Sequence, residues 1–456
     1  MRDRNRRRLS LALAAVAATG LVACTPSTPD PTPEPTPEPT SPTDEGSETA
    51  TGSGEPDPDP SASPSPSPSE PADYPNPWGP TPEEVDAATE EAAAMSADEV
   101  AGQVIVSTIV DPRPDVVAAH VEDFHLGGVI LMGEAVTSME QVAALTDAVQ
   151  QAHSGSGRDW PALVSTDNEG GTVQRLDSTA GPWTDFPEFA VAGQAAANDD
   201  DGAVTDAYTA MGRELRGAGI NTDWAPVADV TVPGQDAIIG GRSASSDPAI
   251  AARTVGAATR GFLDAAVLPA AKHFPGHGSL TADSHETLPS LTRGDDELAA
   301  QDLPPFESAI EAGTPMIMVG HIDVTTWDPG VAASVSPGAY RVLRDELGFS
   351  GVAVTDGLDM GALTPVGDPG DIAVAALDAG ADLLLGPASD AQAHDGVVAA
   401  LRDGTLDRDR VNEAAGRVIA MMEHQAELAA RLGPVGPDAA GSASEAVAAL
   451  EAAAAG

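Results

Sequence analysis

Cysteine is almost absent. The chain has one, Cys24, in 456 residues, so no disulfide can form within it and an oxidising compartment adds nothing to its stability. Aromatic residues make up only 3%, too few for a platform on which nucleobases stack. Basic residues are heavily outnumbered, 22 Lys plus Arg against 71 Asp plus Glu, for a formal charge of −49. That excludes general nucleic-acid binding, which needs a basic footprint, and fits a strongly hydrated surface. Long apolar runs are missing too: residues 9–22 fall short of the roughly 20 residues that a membrane-spanning helix needs. Lysine is nearly absent, since Lys272 is the sole one and every other cation is arginine. A compact ammonium on a flexible stem differs in shape and hydration from a planar guanidinium, so Lys272 marks a position where arginine does not serve.

The first 80 residues read as address and spacer. Arg2, Arg4, Arg6, Arg7 and Arg8 precede the small apolar run 9–22, the layout of a secretory signal. Leu21-Val22-Ala23-Cys24 is where a bacterial lipoprotein signal carries its lipidated cysteine. Residues 1–23 are therefore expected to be a signal peptide, with Cys24 lipidated and the product anchored to the cell membrane on its extracytoplasmic side. Arg6-Arg7-Arg8 also fits twin-arginine export, which leaves the route open. Residues 24–80 are rich in Pro, Ser, Thr and acidic side chains, including the tandem Pro-Thr-Pro-Glu at 31–38. Such a segment buries no core and its carboxylates repel, so an extended tether is expected. Residues 433–456 are rich in Ala and Gly without a clear apolar face, and a frayed or disordered tail is expected there.

Between 81 and 432 the pattern changes. Short apolar runs at 102–109, 127–132, 162–166, 220–227, 268–272, 316–320, 351–355 and 381–385 alternate with longer helical stretches. Runs buried on both faces lose strict alternation, as parallel strands do. Eight strand–helix units predict an α/β fold, a (β/α)8 TIM-like barrel forming a single catalytic domain. The rival, an open doubly wound sheet, wants a glycine-rich phosphate loop after its first strand, and the sequence has none.

Polar residues fall where the strands end. Asp167 follows the third run, Asp229 lies beyond the fourth, Lys272-His273 ends the fifth, His321 ends the sixth and Asp356 the seventh. In a barrel these ends share one face, where barrel chemistry sits. Asp356, at a strand tip beside Gly357, is placed to attack a sugar's anomeric carbon as a nucleophile. Asp359 competes, but three residues on it is expected in a helix start, where a carboxylate favours the dipole. Asp283 and His285 form an Asp-x-His pair in which the carboxylate fixes the imidazole tautomer and stabilises its protonated form, as a proton donor to a leaving oxygen requires. His273, His277, Asp283 and His285 could together suit zinc, but Phe274-Pro275-Gly276 breaks any helix that would align the first two. No metal and no cofactor are expected.

The run Lys272-His273-Phe274-Pro275-Gly276-His277-Gly278 followed by Asp283-Ser284-His285 closely resembles glycoside hydrolase family 3 β-N-acetylglucosaminidases of the peptidoglycan-processing type. The resemblance extends over about residues 90–430 and includes Asp167-Asn168-Glu169-Gly170-Gly171, Asp223-Trp224-Ala225-Pro226-Val227-Ala228-Asp229, Gly241-Arg242-Ser243 and the segment 343–356. It implies a retaining exo-β-N-acetylglucosaminidase, with Asp356 as nucleophile, His285 as acid/base and Asp283 as its partner. By the same resemblance Asp167, Arg175, Arg242, Lys272 and His273 bind the N-acetylglucosamine ring and the adjoining sugar. The partners implied are N-acetylglucosamine-containing glycans, peptidoglycan fragments or chitooligosaccharides, besides the membrane reached through Cys24. Arg175, Arg242 and Lys272 would form a positive patch suited to the lactyl carboxylate of a muramic acid leaving group. Family members commonly carry Arg where this chain has Thr172, and Phe-Gly where it has Ala244-Ser245. The alternatives are a phosphorylase of the same family and a non-catalytic glycan-binding lipoprotein.

Overall fold

The computed structural model describes residues 78–234, 238–436 and 438–456. The expected signal, the lipidation site Cys24 and the tether up to residue 77 lie outside the described residues. Eight parallel strands form the barrel: β1 (Ile105–Ile109), β2 (Gly128–Leu131), β3 (Leu163–Thr166), β4 (Thr222–Asp223), β5 (Leu268–Phe274), β6 (Met316–Val319), β7 (Val352–Thr355) and β8 (Leu384–Leu385). They run in order from β8 through β1 to β7, and the Val354–Leu383 bridge closes β8 onto β7. Each predicted apolar run holds one strand, and β2, β3, β6 and β7 are buried at every position, as strands sandwiched between barrel interior and helices must be.

Two boundaries differ from the sequence reading for local reasons. Gly102 and Gln103 belong to the helix Ala97–Gln103, which Ser96 and Glu99 start with a reciprocal capping box, a device that supplies two otherwise orphan N–H groups with acceptors. The fourth run pairs over only two residues, because Pro226 has no N–H to donate to the ladder. Beyond it, Lys272 N–H donates to Pro226 C=O and Ala228 N–H to Lys272 C=O. The chain 224–228 therefore still tracks β5 as far as Asp229.

The alanine-rich C-terminal segment also departs from expectation. It forms the helix Ala439–Ala455, burying Ala443 and Leu450, and Asn198 Nδ2 donates to Ala453 C=O at 2.9 Å. Small side chains let this helix lie close on its neighbours without the broad apolar stripe that sequence periodicity detects.

At the amino end of the barrel, Asp382 fastens the last strands to the helix Arg408–Leu432. Its carboxylate, fully buried, accepts from Arg344, from Arg410 at 2.7 Å and from Arg417 at 3.1 Å, and from the Ala353 N–H in β7 at 3.0 Å. Burial opposes its charge, but the three guanidinium groups outweigh that and hold it below the usual carboxylate range. Removing one partner of a buried ionic network strands the others and costs about 3–5 kcal/mol. Asp382→Ala should lower stability by that amount in urea unfolding; a loss under about 1 kcal/mol would show that the cluster is well hydrated instead.

Candidate active site

Asp167 and Glu169 follow β3 directly, in a short antiparallel hairpin formed by Asn168–Gly170 and Val173–Gln174. Alternation along extended chain puts residues two apart on one side, so both carboxylates reach the same ammonium. Lys272 Nζ lies 3.0 Å from Asp167 Oδ1 and 2.6 Å from Glu169 Oε1. The intervening Asn168 N–H donates to Asp223 Oδ1 at 2.9 Å, which roots the hairpin on β4. The turn needs its two glycines. Gly170 and Gly171 have φ of +100° and +58°, and a Cβ on Gly170 would lie 2.4 Å from the Pro187 carbonyl oxygen.

Arg242, at the end of the short 3-10 turn Gly240–Arg242, forks onto Glu169 with two bonds of 2.8 Å. Arg175 stands farther off, 3.7 Å from Asp167 Oδ2. The three expected cations thus share two carboxylates, and one positive charge is left over where the sequence alone counted three. Burial is the largest influence on both Glu169 and Lys272 and disfavours each charge. Lys272 and Arg242 nevertheless hold Glu169 down to about 2, while Glu169 and Asp167 raise Lys272 above the ordinary lysine value.

His273 is oriented by Asp229. The fully buried Asp229 takes the His273 ring at Nδ1 (2.7 Å) and accepts from the backbone N–H groups of His273 (3.2 Å) and His277 (2.6 Å). With Nδ1–H donating, Nε2 is the ring nitrogen left to face other groups. Burial raises the Asp229 pKa, but His273 and His277 outweigh it and the carboxyl titrates below its usual range. His277 Nε2 meets Ser284 Oγ at 3.1 Å. Among the described residues no group of three or more His, Cys, Asp or Glu side chains is arranged to hold a metal ion.

Asp356 follows β7, its N–H donating to Val319 C=O in β6 at 3.0 Å, and its Oδ1 accepts the Gly357 N–H at 2.8 Å. Burial pushes its pKa up, but His273, His321, the Gly357 N–H and Lys272 together outweigh that and bring it to about 2. His321 is fully buried; Nε2 reaches Gly357 C=O at 2.8 Å and Nδ1 meets Ser334 Oγ at 2.7 Å. The carbonyl accepts only, so Nε2 carries a proton. Asp359 is exposed and lies in a turn, not in a helix start as expected; a 3-10 turn, Gly361–Leu363, follows two residues on, and the next α-helix begins at Pro369.

The Asp283–His285 pair is formed, Nδ1 to Oδ1 at 2.8 Å, with side chains 68% exposed for His285 and 36% for Asp283. Its loop is tied to the loop that follows Asp356: Gly361 N–H donates to His285 C=O and Ala362 N–H to Ser284 C=O, at 2.9 and 3.2 Å. The structure therefore gathers Asp167, Arg175, Arg242, Lys272, His273 and Asp356 at one rim, with Asp283 and His285 on a more open loop beside it. Glu169, Asp229 and His321 were given no role from sequence. The signal for Glu169 was its spacing of two from Asp167, and for the other two their places at strand ends. Of the family departures, Thr172 is exposed in the hairpin turn and Ala244 is buried.

Fold and rim together have the layout of a barrel enzyme, with ionisable groups gathered at the carboxyl ends of the strands. Residues 96–421 match the Glycosyl hydrolase family 3 N terminal domain, and the chain belongs to glycoside hydrolase family 3. It is 35% identical over 277 residues to Beta-hexosaminidase A of Pseudoalteromonas piscicida, covering 58% of this chain and 46% of that one. It is 34% identical over 314 residues to Beta-hexosaminidase LpqI of Mycobacterium tuberculosis, covering 66% and 77%. The chain thus spans less than half the length of the first relative and about three quarters of the second. A solved family 3 beta-N-acetylglucosaminidase from Paenibacillus sp. str. FPU-7 superposes with a TM-score of 0.71 at 30% identity, over 77% of this chain and 68% of that one.

Asp229 offers a test with a definite sign. Its lowered folded-state pKa means that its contribution is complete above the unfolded value and is lost as pH falls through the folded one. Asp229→Asn should cost about 3 kcal/mol at pH 7, and the gap from wild type should shrink below about pH 4. A gap that stays constant with pH in urea unfolding would contradict this.

Proposed function

We propose that the chain is a retaining exo-β-N-acetylglucosaminidase acting on terminal non-reducing β-linked N-acetylglucosamine of peptidoglycan fragments or chitooligosaccharides. The observation that carries this reading is a nucleophile candidate, Asp356, kept ionised beside a Lys–Glu–Arg–Asp cluster at the same rim. The similarity to beta-hexosaminidases and to the Paenibacillus beta-N-acetylglucosaminidase supports the choice of sugar.

In this reading Asp167, Arg175, Arg242, Lys272 and His273 hold the sugar: carboxylates accept its hydroxyl protons, and cations and the imidazole pair with its oxygens. Asp356 Oδ1 is occupied by the Gly357 N–H, so Oδ2 attacks C1. The C1–O bond to the leaving group breaks as His285 Nε2 delivers its proton to the departing oxygen. Asp283 on Nδ1 stabilises the imidazolium before transfer. Water then attacks C1, its proton returns to Nε2 and the ester to Asp356 opens. The exposed His285 loop swings toward the sugar when substrate is bound.

Asp356→Ala should lower turnover of an aryl N-acetylglucosaminide by at least about 10⁴-fold while the unfolding midpoint stays near wild type. Near-normal rates in Asp356→Ala, with loss in Asp359→Ala, would overturn the assignment. Asp283→Asn should cost more with an unactivated sugar leaving group than with an activated aryl one; equal losses would contradict acid catalysis by His285. Sugar 1-phosphate appearing only when phosphate is added would identify a phosphorylase instead.

We also propose that residues 1–23 direct export and that lipidated Cys24 anchors the enzyme to the extracytoplasmic membrane face through the 24–80 segment. Cys24→Ala, expressed from the full chain, should move the protein from the membrane to the soluble extracytoplasmic fraction. An unchanged membrane fraction would contradict lipid anchoring at Cys24.

A further inference from the structure

Glu169 differs from the carboxylate two residues before it. Asp167 keeps part of its side chain open, 19% exposed, whereas the Glu169 side chain is 2% exposed. Both Glu169 oxygens are already occupied: Oε2 by Arg242 Nε, Oε1 by Arg242 Nη2 and Lys272 Nζ. Three of its roughly four acceptor positions are filled, and with the side chain 2% exposed the last is closed to a sugar hydroxyl. It is nonetheless the point where three separate stretches of chain meet: the hairpin after β3, the turn that ends in Arg242, and the end of β5.

We propose that Glu169 is a positioning residue for the reaction described above, acting through Lys272 and Arg242 rather than by touching substrate. Its forked pairing fixes the plane of the Arg242 guanidinium, because two parallel N–H···O bonds define a plane as well as a distance. Its second contact fixes Lys272 between two carboxylates. Lys272 then presents a permanent charge to Asp167, to the bound sugar and to Asp356, whose ionisation it favours. Without Glu169, Lys272 and Arg242 would lose the carboxylate they share, leaving Asp167 as the one acid in contact with the lysine, while Arg242 disfavours the lysine's charge. The lysine would yield first, since a buried ammonium can lose its proton and a guanidinium cannot. This accounts physically for a lysine at the one position where the chain retains it: three donors on a compact head serve two carboxylates that approach from one side.

The proposal rests on the reading of this rim as the sugar site, and the test separates the two. Glu169→Gln preserves shape and removes the charge. Because Lys272 is the sole lysine, protein grown with lysine labelled with ¹³C at Cε gives one lysine signal. Its titration reports the Lys272 ammonium with no assay of activity. In Glu169→Gln the titration midpoint should fall by at least about one pH unit relative to wild type. On an aryl N-acetylglucosaminide, kcat/KM should fall by about 10²-fold or more and decline at a lower pH on its basic side. Lys272→Met combined with Glu169→Gln should lose less than the product of the two single losses, the remaining extra loss being what Glu169 does through Arg242. An unchanged lysine titration would overturn the proposal, as would losses that multiply in the double variant. If the wild type turns over no N-acetylglucosaminide, the functional reading fails and the lysine titration still decides the role of Glu169. If Glu169→Gln does not fold, Glu169→Asp takes its place, keeping the charge on a shorter stem. It should keep the wild-type lysine midpoint while losing kcat/KM through a displaced Arg242; a midpoint that falls there as well would count against charge as the cause.

Discussion

Charges removed from water at the carboxyl rim of this barrel survive only because opposite signs alternate. Burial alone can move a carboxyl or an ammonium by about 3–5 pH units toward its neutral form. Here Glu169 and Asp356 are instead held at about 2, and Lys272 is held above its ordinary value. The same burial leaves Asp223, which takes only the Asn168 N–H at one oxygen, raised well above the carboxylate range. The contrast between Asp223 and Glu169, two buried acids at neighbouring strand ends, shows what the cations decide. Glu169, paired with Lys272 and Arg242, is held low, whereas burial pushes Asp223 up, with Lys272 too far to outweigh it and Asp167 and Glu169 adding to the rise.

The scaffold makes this alternation possible. Parallel strands closed into a barrel bring residues from distant parts of the chain to one rim, so Asp167, Lys272 and Asp356 become neighbours although they are far apart in sequence. The small hairpin after β3 extends the rim inward and adds Glu169. Asp229 performs a comparable service for the segment 273–277, taking one imidazole and two backbone amides. The Asp283–His285 loop is built differently: it is open, joined to the rest of the rim through backbone bonds at 284 and 285. A fixed set of charges beside a more exposed proton carrier is what a site needs if it must admit a sugar and then enclose it.

Much of the fold could be read from the residues. Apolar runs of the right length marked all eight strands, and ionisable residues just beyond them marked the rim. Where the reading failed, another local rule or a tertiary contact had taken over. Ser96 and Glu99 capped a helix across the start of the first run, and Pro226 shortened the fourth ladder. An alanine-rich helix docked without an apolar stripe because its small side chains permit close approach. The positive patch expected from Arg175, Arg242 and Lys272 is largely neutralised by Asp167 and Glu169. Composition shows how many charges there are, but which of them pair depends on contacts between distant segments, as between Asp167 and Lys272, 105 residues apart.

The central claim is that Asp356 forms a bond to the anomeric carbon. The most direct measurement uses a fluorinated N-acetylglucosaminyl donor with an activated leaving group, which slows breakdown of the ester, followed by peptide mass mapping. The account predicts one glycosyl adduct on the peptide that contains Asp356, absent in Asp356→Ala and lost when the trapped enzyme turns over. An adduct on Asp359 or elsewhere, or no adduct from an enzyme that still hydrolyses the parent glycoside, would contradict it.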